Sequence, residues 1–269
     1  MYDFAYHRPA SVEEAAKLLA GKPDAKPMSG GMSLLPSMKL RLSHWSDIVD
    51  LAAIPNLTGV REENGHIIIG ARTRHYDVAT SPLLHQKLPA LAELAEGIGD
   101  PLVRNRGTIG GSIANADPAA DYPSSVLGLG ATIITNKREI AGDTFFTGLF
   151  ETALQHDEIV TALRYPIALR AAYMKYRQPA SRYAIVGAFV AQTQQGVRVA
   201  ITGAASHVFR MADYEAALTK IFSASALDGI MPRLPDLNSD LHASADYRAH
   251  VITEMVRRAV DAACARKSI

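Results

Sequence analysis

A single cysteine, Cys264, stands in a chain of 269 residues. That count excludes an internal disulfide, a Cys-x-x-Cys redox pair, a thiolate zinc site and an iron–sulfur cluster ligated by this chain's own thiolates. Charge of one sign is equally scarce. Lys plus Arg number 28 against 27 Asp plus Glu, so no strong basic field points to nucleic acid or an acidic membrane surface. The longest apolar stretches, around 126–134 and 184–191, fall far short of the roughly 20 residues that span a bilayer. The opening MYDFAYHRP has neither a basic n-region nor an apolar h-region. The nine His form no HExxH or HxH pair, and no GxSxG elbow occurs. These absences lead us to expect a soluble, cytoplasmic protein in a reducing compartment, made of one large domain or two of moderate size.

Local signals divide the chain. Ser11-Val12-Glu13-Glu14 is a capping box, and Val12, Ala15, Ala16, Leu18 and Leu19 keep helical spacing until Gly21, which predicts a helix over 12–20. The stretch 26–29 reaches Gly30-Gly31, and 48–51 reads as a strand, so a small β–α–β unit is expected. HIIIGA at 66–71 is β-branched behind an Asn64-Gly65 turn, and 76–98 has helical periodicity broken at Pro82 and Pro89. Residues 104–121, rich in Gly, Asn, Asp and Ala, read as a long ordered loop. Strands at 131–135 and 158–166 precede a hairpin meander with a Gln194-Gln195-Gly196 turn, then helices at 212–223 and about 244–266.

Two glycine segments carry the chemistry. Ser29-Gly30-Gly31-Met32-Ser33-Leu34 follows a strand, where adjacent glycines allow positive φ and let backbone N–H groups approach an anion. The same letters also make a plain tight turn. Thr108-Ile109-Gly110-Gly111-Ser112 repeats the pattern about 80 residues on, followed by Asn115, Asp117 and Asp121. Together the two suit one extended diphosphate ligand, with a carboxylate left for ribose or ribityl hydroxyls. Asn115 and Asp117 equally suit caps or turns. Neither GxGxxG nor GxxxxGK[ST] is present.

The order of SGGMSLLP (29–36), GDPLVRNRGTIGGSIANADPAAD (99–121), EIVTALRYP (158–166) and AYMKYRQPASRYAIVGA (172–188) closely resembles the FAD-binding medium subunit of the molybdenum hydroxylases, the group of carbon monoxide dehydrogenase and xanthine dehydrogenase. The resemblance covers essentially the whole chain and includes a closing helix around 243–260. It implies an α+β fold: a two-part FAD-binding domain of the vanillyl-alcohol-oxidase (PCMH) type over 1–170, with subdomains of about 1–55 and 56–170, then a smaller α+β domain over 171–269. Non-covalent FAD is implied, with Ser29, Gly30, Gly31, Met32, Ser33 and Leu34, and Thr108, Ile109, Gly110, Gly111 and Ser112, around its phosphates. Asp121 matches the carboxylate at the polyol, Ile98 and Val160 apolar contacts, Lys175 the cation near the flavin, and Tyr183 the residue beside the isoalloxazine. Without that context Lys175 reads as a solvated strand residue and Tyr183 as core. Met32, Ser112 and Arg182 stand where the family often has His, Asn or Asp, and Asp. Arg104 and Arg106 are the right chemistry for anion ligands, loop ordering or a partner surface, and stay unassigned.

The resemblance also implies partners: a large subunit with the molybdenum cofactor and a small subunit with 2Fe-2S clusters, as a dimer of heterotrimers. Electrons would pass through FAD to an external acceptor, whether NAD, a quinone, dioxygen or a protein. The single Cys agrees, since clusters must reside elsewhere. Two rivals remain at this point: a self-contained FAD reductase of the same fold, like the UDP-N-acetylenolpyruvoylglucosamine reductases, and a non-catalytic interaction module without flavin.

Overall fold

The structure is a computed structural model and describes residues 1–266. Its first unit is parallel. Strands β1 (Ala5–His7), β2 (Ala25–Met28) and β3 (Asp47–Asp50) pair in the order β1-β3-β2, linked by helices α1 (Val12–Ala20) and α2 (Leu34–Lys39). Helix α1 starts where the capping box places it: Ser11 Oγ accepts from Glu14 N at 3.1 Å, while the Glu14 carboxylate reaches back to Ala10 N at 2.8 Å. Its buried Ala15 and Leu19 pack on Val49, Leu51 and Ile54. At the end of the sheet, Lys22, His7 and Ser46 all donate to Asp47, and these bonds hold its carboxyl well below the usual range.

The second unit is antiparallel, in the order β4-β5-β10-β6-β7. Strands β4 (Val60–Glu63) and β5 (His66–Gly70) form a hairpin whose turn residues Asn64 and Gly65 have φ of 50° and 74°, the positive pair such a turn demands. Helices α3 (His75–Ala79), α4 (Pro82–Lys87) and α5 (Pro89–Glu96) break at the two prolines as expected, each Pro occupying the first turn of its helix. Helices α6 (Pro101–Arg106), α7 (Ile109–Asn115) and α8 (Tyr122–Leu129) follow, then β6 (Thr132–Thr135), β7 (Glu139–Ala141), the small hairpin β8 (Phe146–Gly148) and β9 (Glu151–Thr152), and β10 (Val160–Pro166). Strand β10 enters the sheet centre from 90 residues after the end of β5, aligning Leu163 with Ile69 and Ile133 over the core.

The 104–121 expectation is corrected here: most of that stretch is the end of α6 and all of α7. Gly110, Gly111 and Asn115 are poor helix formers, so propensity hid the helix. Thr108 caps it, and tertiary packing holds it.

The last unit is a meander, β11 (Arg170–Arg177), β12 (Ala184–Thr193), β13 (Gly196–Thr202) and β14 (Phe209–Arg210), with α9 (Ala212–Lys220) and α10 (Ala245–Ala265). Helix α10 lies across β11 and β12, setting Ile252, Val256, Ala259 and Val260 against Val186, Ala188 and Val190. The opposite face of β12, with Phe189 and Ala191, joins the core of the second unit. Burial on both faces explains why 184–191 is an unbroken apolar run rather than an alternating one. Among the described residues no helix is long and apolar enough to cross a membrane.

Candidate cofactor site

The chain leaves β2 at Met28 and turns through residues 29–33 into α2. Gly31 has φ +73°, a left-handed conformation that Gly adopts at little cost. Gly30 presses on the α6–α7 junction so closely that a Cβ there would lie 2.2 Å from the Arg106 carbonyl oxygen. Among the described residues, no protein acceptor receives the backbone N–H groups of Gly30, Gly31, Met32 or Ser33. Four successive unspent donors beside two hydroxyls fit a diphosphate, whose oxygens accept only. One of those hydroxyls, Thr108 Oγ1, donates to Ser29 Oγ at 2.9 Å, tying the two glycine segments together and leaving the Ser29 proton for another acceptor.

The second segment is built differently. Ile109 N donates to Thr73 O at 3.0 Å, Gly110 N to Ala71 O at 2.8 Å, Gly111 N to Thr108 Oγ1 at 3.2 Å, and Ser112 N to Thr108 O at 3.0 Å. Its backbone donors are therefore already engaged, and a cradle of N–H groups from both segments is not what the fold provides. Gly110 serves packing instead, since a Cβ there would sit 2.5 Å from Ala71 Cβ and 2.7 Å from its carbonyl oxygen. Ile109 is fully buried, and Ser112, half-buried, keeps its hydroxyl unpaired among the described residues. Asp117 Oδ1 accepts from Ala119 N at 2.9 Å, the turn role its place before Pro118 suggested.

Asp121, 5% exposed, lies where α8 begins. Tyr173 from β11 donates to its Oδ1 at 2.5 Å and Lys175 to its Oδ2 at 3.0 Å. The Tyr173 hydroxyl passes through the space that a side chain at Gly187 would fill. Lys175 also donates to Gly97 O and Arg182 O, each at 3.0 Å, so all three ammonium protons are spent within the protein. Burial pushes the Asp121 carboxyl up, and Lys175 and Tyr173 pull it back. Lys175 is thus no solvated strand residue, and no free cation either: it is one half of a buried ion pair. Arg182, with φ +62°, donates to Gly99 O at 3.1 Å and pins the β11–β12 turn to the loop after α5.

Tyr183, 45% exposed, is not core; it borders a hollow of about 320 Å³ with Asp117, Gln178 and Arg248. Ile98 is half-buried beside the Lys175 cluster's Gly97, and Val160 is buried at the start of β10. Met32 is 36% exposed at the surface of the first loop, and Leu34 opens α2.

Sequence reasoning missed Arg72, Arg74 and Asn105. With Arg106 they line a cleft of about 280 Å³ next to Ser29, Gly30 and Thr108. Arg72 and Arg74 lie more than 30 residues before Arg106 in the chain, and the pairing of 73–75 with 105–109 brings them together. Arg104, in contrast, orders its own loop through Ile98 O at 2.9 Å. Beneath the cleft His75 is 6% exposed, with Nδ1 unpaired among the described residues, and burial holds its pKa down to about 4.

A family described as "FAD binding domain in molybdopterin dehydrogenase" matches residues 2–168, and "CO dehydrogenase flavoprotein C-terminal domain" matches 171–263. The chain belongs to the FAD-binding medium subunits of the molybdenum hydroxylases. The carbon monoxide dehydrogenase medium chain of Hydrogenophaga pseudoflava is 36% identical over 281 residues, covering 98% of each chain. The nicotine 6-hydroxylase medium subunit of Paenarthrobacter nicotinovorans is 33% identical, covering 97% of each. Among solved structures, reconstituted CO dehydrogenase from Oligotropha carboxidovorans superposes with a TM-score of 0.91 at 34% identity, covering 98% of this chain and 99% of that one. The α+β fold is therefore the two-part FAD-binding domain followed by the smaller C-terminal domain, and a medium subunit of this family is part of an oxidoreductase.

Proposed function

We propose that this medium subunit binds FAD non-covalently and relays electrons from 2Fe-2S clusters of a small partner subunit to an external acceptor. The clusters are in turn reduced by a large molybdenum-cofactor subunit that oxidises the substrate, in a cytoplasmic dimer of heterotrimers. The observation that carries this reading is the set of unspent N–H groups of Gly30, Gly31, Met32 and Ser33 beside the Ser29–Thr108 hydroxyl pair. When bound there, FAD supplies the redox chemistry, exchanging one or two electrons at a time.

What this chain's residues do is hold and shield. Residues 29–34 bind the phosphates through their backbone, with the Ser29 and Ser112 hydroxyls as donors. Ile109, Gly110 and Gly111 set the position of that wall, and Thr108 locks it to the first loop. Asp121, with both oxygens engaged, takes its place beside the polyol through the lone pairs it has left. Lys175 and Tyr173 hold its carboxyl in place and offset part of the cost of burying its charge. Ile98, Val160 and Tyr183 offer apolar and aromatic surface to the rings. The division into working units falls near residue 170, between the FAD-binding domain and the C-terminal domain, whose sheet grips 117–120 through Ala184 N, Gly203 N and Thr202 Oγ1. The substrate is chosen on the partner, and NAD, a quinone, dioxygen or a protein remain the acceptor classes.

The test is a visible spectrum of the chain purified from its native source with whatever accompanies it, followed by acid release of the chromophore. Flavin bands with iron–sulfur absorbance and two further polypeptides are expected. FAD on a lone chain would leave the binding reading and remove the relay; a colourless preparation would remove both.

A further inference from the structure

We propose that Arg72 and Arg106 hold the diphosphate and adenosine half of FAD, in the cleft they line beside Ser29, Gly30 and Thr108. This rests on the FAD reading above and assigns the polarity of the cofactor: the ADP half to the arginine cleft, the flavin half to the side of Asp121 and Tyr183.

Charge counting motivates it. A diphosphate brings two negative charges, and the N–H groups of residues 109–112 are already engaged with Ala71, Thr73 and Thr108. Backbone donors from the first loop alone offer partial charges on one side. The cleft supplies what is lacking. Three guanidinium groups and a single carboxylate, Asp50, line it.

Of the three, Arg74 is committed, with Nε and Nη2 on the Asp77 carboxylate at 2.7 and 2.8 Å and Nη1 on Asn105 at 3.2 Å. Arg72 is not. One Nη1 contact to Ala52 O at 3.1 Å leaves its Nε buried without an acceptor. Arg106 has no acceptor among the described residues. Asp50, whose Oδ1 receives Ala52 N at 2.9 Å and whose Oδ2 receives the Tyr6 hydroxyl at 2.5 Å, makes no hydrogen bond to them; its charge acts on Arg72 from a distance and offsets only part of the positive charge of the cleft. A half-buried guanidinium with unmet N–H groups is costly unless an acceptor arrives, and the planar donor fork matches phosphate oxygens.

Neither Asp121, Lys175 nor Tyr183 borders this cleft, and Ser29 and Gly30 do. The chain therefore offers two chemically distinct surfaces: an arginine cleft bordered by the first loop and suited to phosphate and nucleotide, and a separate cluster of buried carboxylate and phenol suited to polyol and ring. FAD, which carries both, is expected to bind far better than riboflavin, which lacks the ADP half.

The experiment strips the full-length chain of FAD and titrates it back with FAD, ADP and riboflavin, following flavin fluorescence and heat. In the wild-type chain FAD binds and ADP competes. Arg106→Gln and Arg72→Gln are each expected to weaken both FAD and ADP about tenfold, the scale of one charge-assisted hydrogen bond, and to flatten the salt dependence, with riboflavin affinity within about twofold. Arg106→Lys, which keeps the charge and loses the fork, is expected to recover part of the loss. Arg106 is exposed, so its variants keep the fold, checked by thermal unfolding. Folded Gln variants with unchanged FAD affinity and salt slope would overturn the arginine assignment alone. A wild-type chain that takes up no FAD would overturn the cofactor reading beneath it.

Discussion

Ser29-Gly30-Gly31-Met32-Ser33 and Thr108-Ile109-Gly110-Gly111-Ser112 are written in nearly the same letters, and the fold treats them in opposite ways. In the first, four backbone N–H groups find no protein acceptor among the described residues; in the second, the four at 109–112 all do. The cause lies upstream. The chain turns just after β5, so Ala71 and Thr73 offer their carbonyls to the start of α7, while among the described residues no carbonyl does so for the first loop. Asp121, Tyr173 and Lys175 belong with the second segment, since every strong donor there is also engaged. A glycine pair thus marks close approach of backbone, but hydrogen-bond accounting decides whether it approaches a ligand or the protein itself.

Changes in the closed regions should cost stability, and changes in the open region should cost cofactor. The largest effect is expected from Lys175→Met, which strands the buried Asp121 carboxylate and should lower unfolding free energy by about 3–5 kcal/mol. A denaturant midpoint near wild type would mean that Lys175 is not closed off. Acid sharpens the same contrast from the other side. His75 has a folded pKa of about 4 against an ordinary 6.5, so the unfolded state binds more protons between those values. Its contribution is complete above pH 6.5 and falls away as pH drops to about 4, by about 3 kcal/mol. Urea midpoints at pH 7, 5 and 4 for wild type and His75→Phe should diverge in that window only, and parallel curves would reject the cause.

Gly110→Ala drives a methyl into Ala71 and should cost about 1–3 kcal/mol, read as a lowered Tm in the apo chain. A Gly110→Ala chain with normal Tm but no FAD would invert the comparison. Valine at 110 and 111 would likewise test packing rather than the approach of an anion. Ser112→Ala is expected to be the mildest. Stability should stay within about 0.5 kcal/mol, while FAD affinity falls a few-fold as one unpaired hydroxyl donor is lost; unchanged affinity would exclude Ser112 from the phosphate wall.

Much of this was legible in the letters. The capping box at Ser11, the proline-punctuated helices after His75 and the Asn64-Gly65 hairpin are local signals, and the structure realises each one. So is the Asp117 turn. Helix α7 was illegible because its glycines lower intrinsic helix propensity and only contact with Ala71 and Thr73 restores it. The Asp121–Lys175 pair was named residue by residue, but nothing in the spacing of positions 54 apart says that they meet. The cleft of Arg72 and Arg106 escaped for the same reason.

The amino-acid order alone settled the absence of thiolate clusters and metal motifs, the positions of most helix starts and hairpins, and membership of a flavoprotein family through its motifs. Those are properties of counts and of neighbours a few residues apart. Which backbone donors remain unspent, which lysine is neutralised and which arginines converge were decided by tertiary structure. Each depends on groups dozens of residues distant becoming adjacent, and burial then turns that adjacency into a fixed hydrogen bond, an ion pair or an unmet donor.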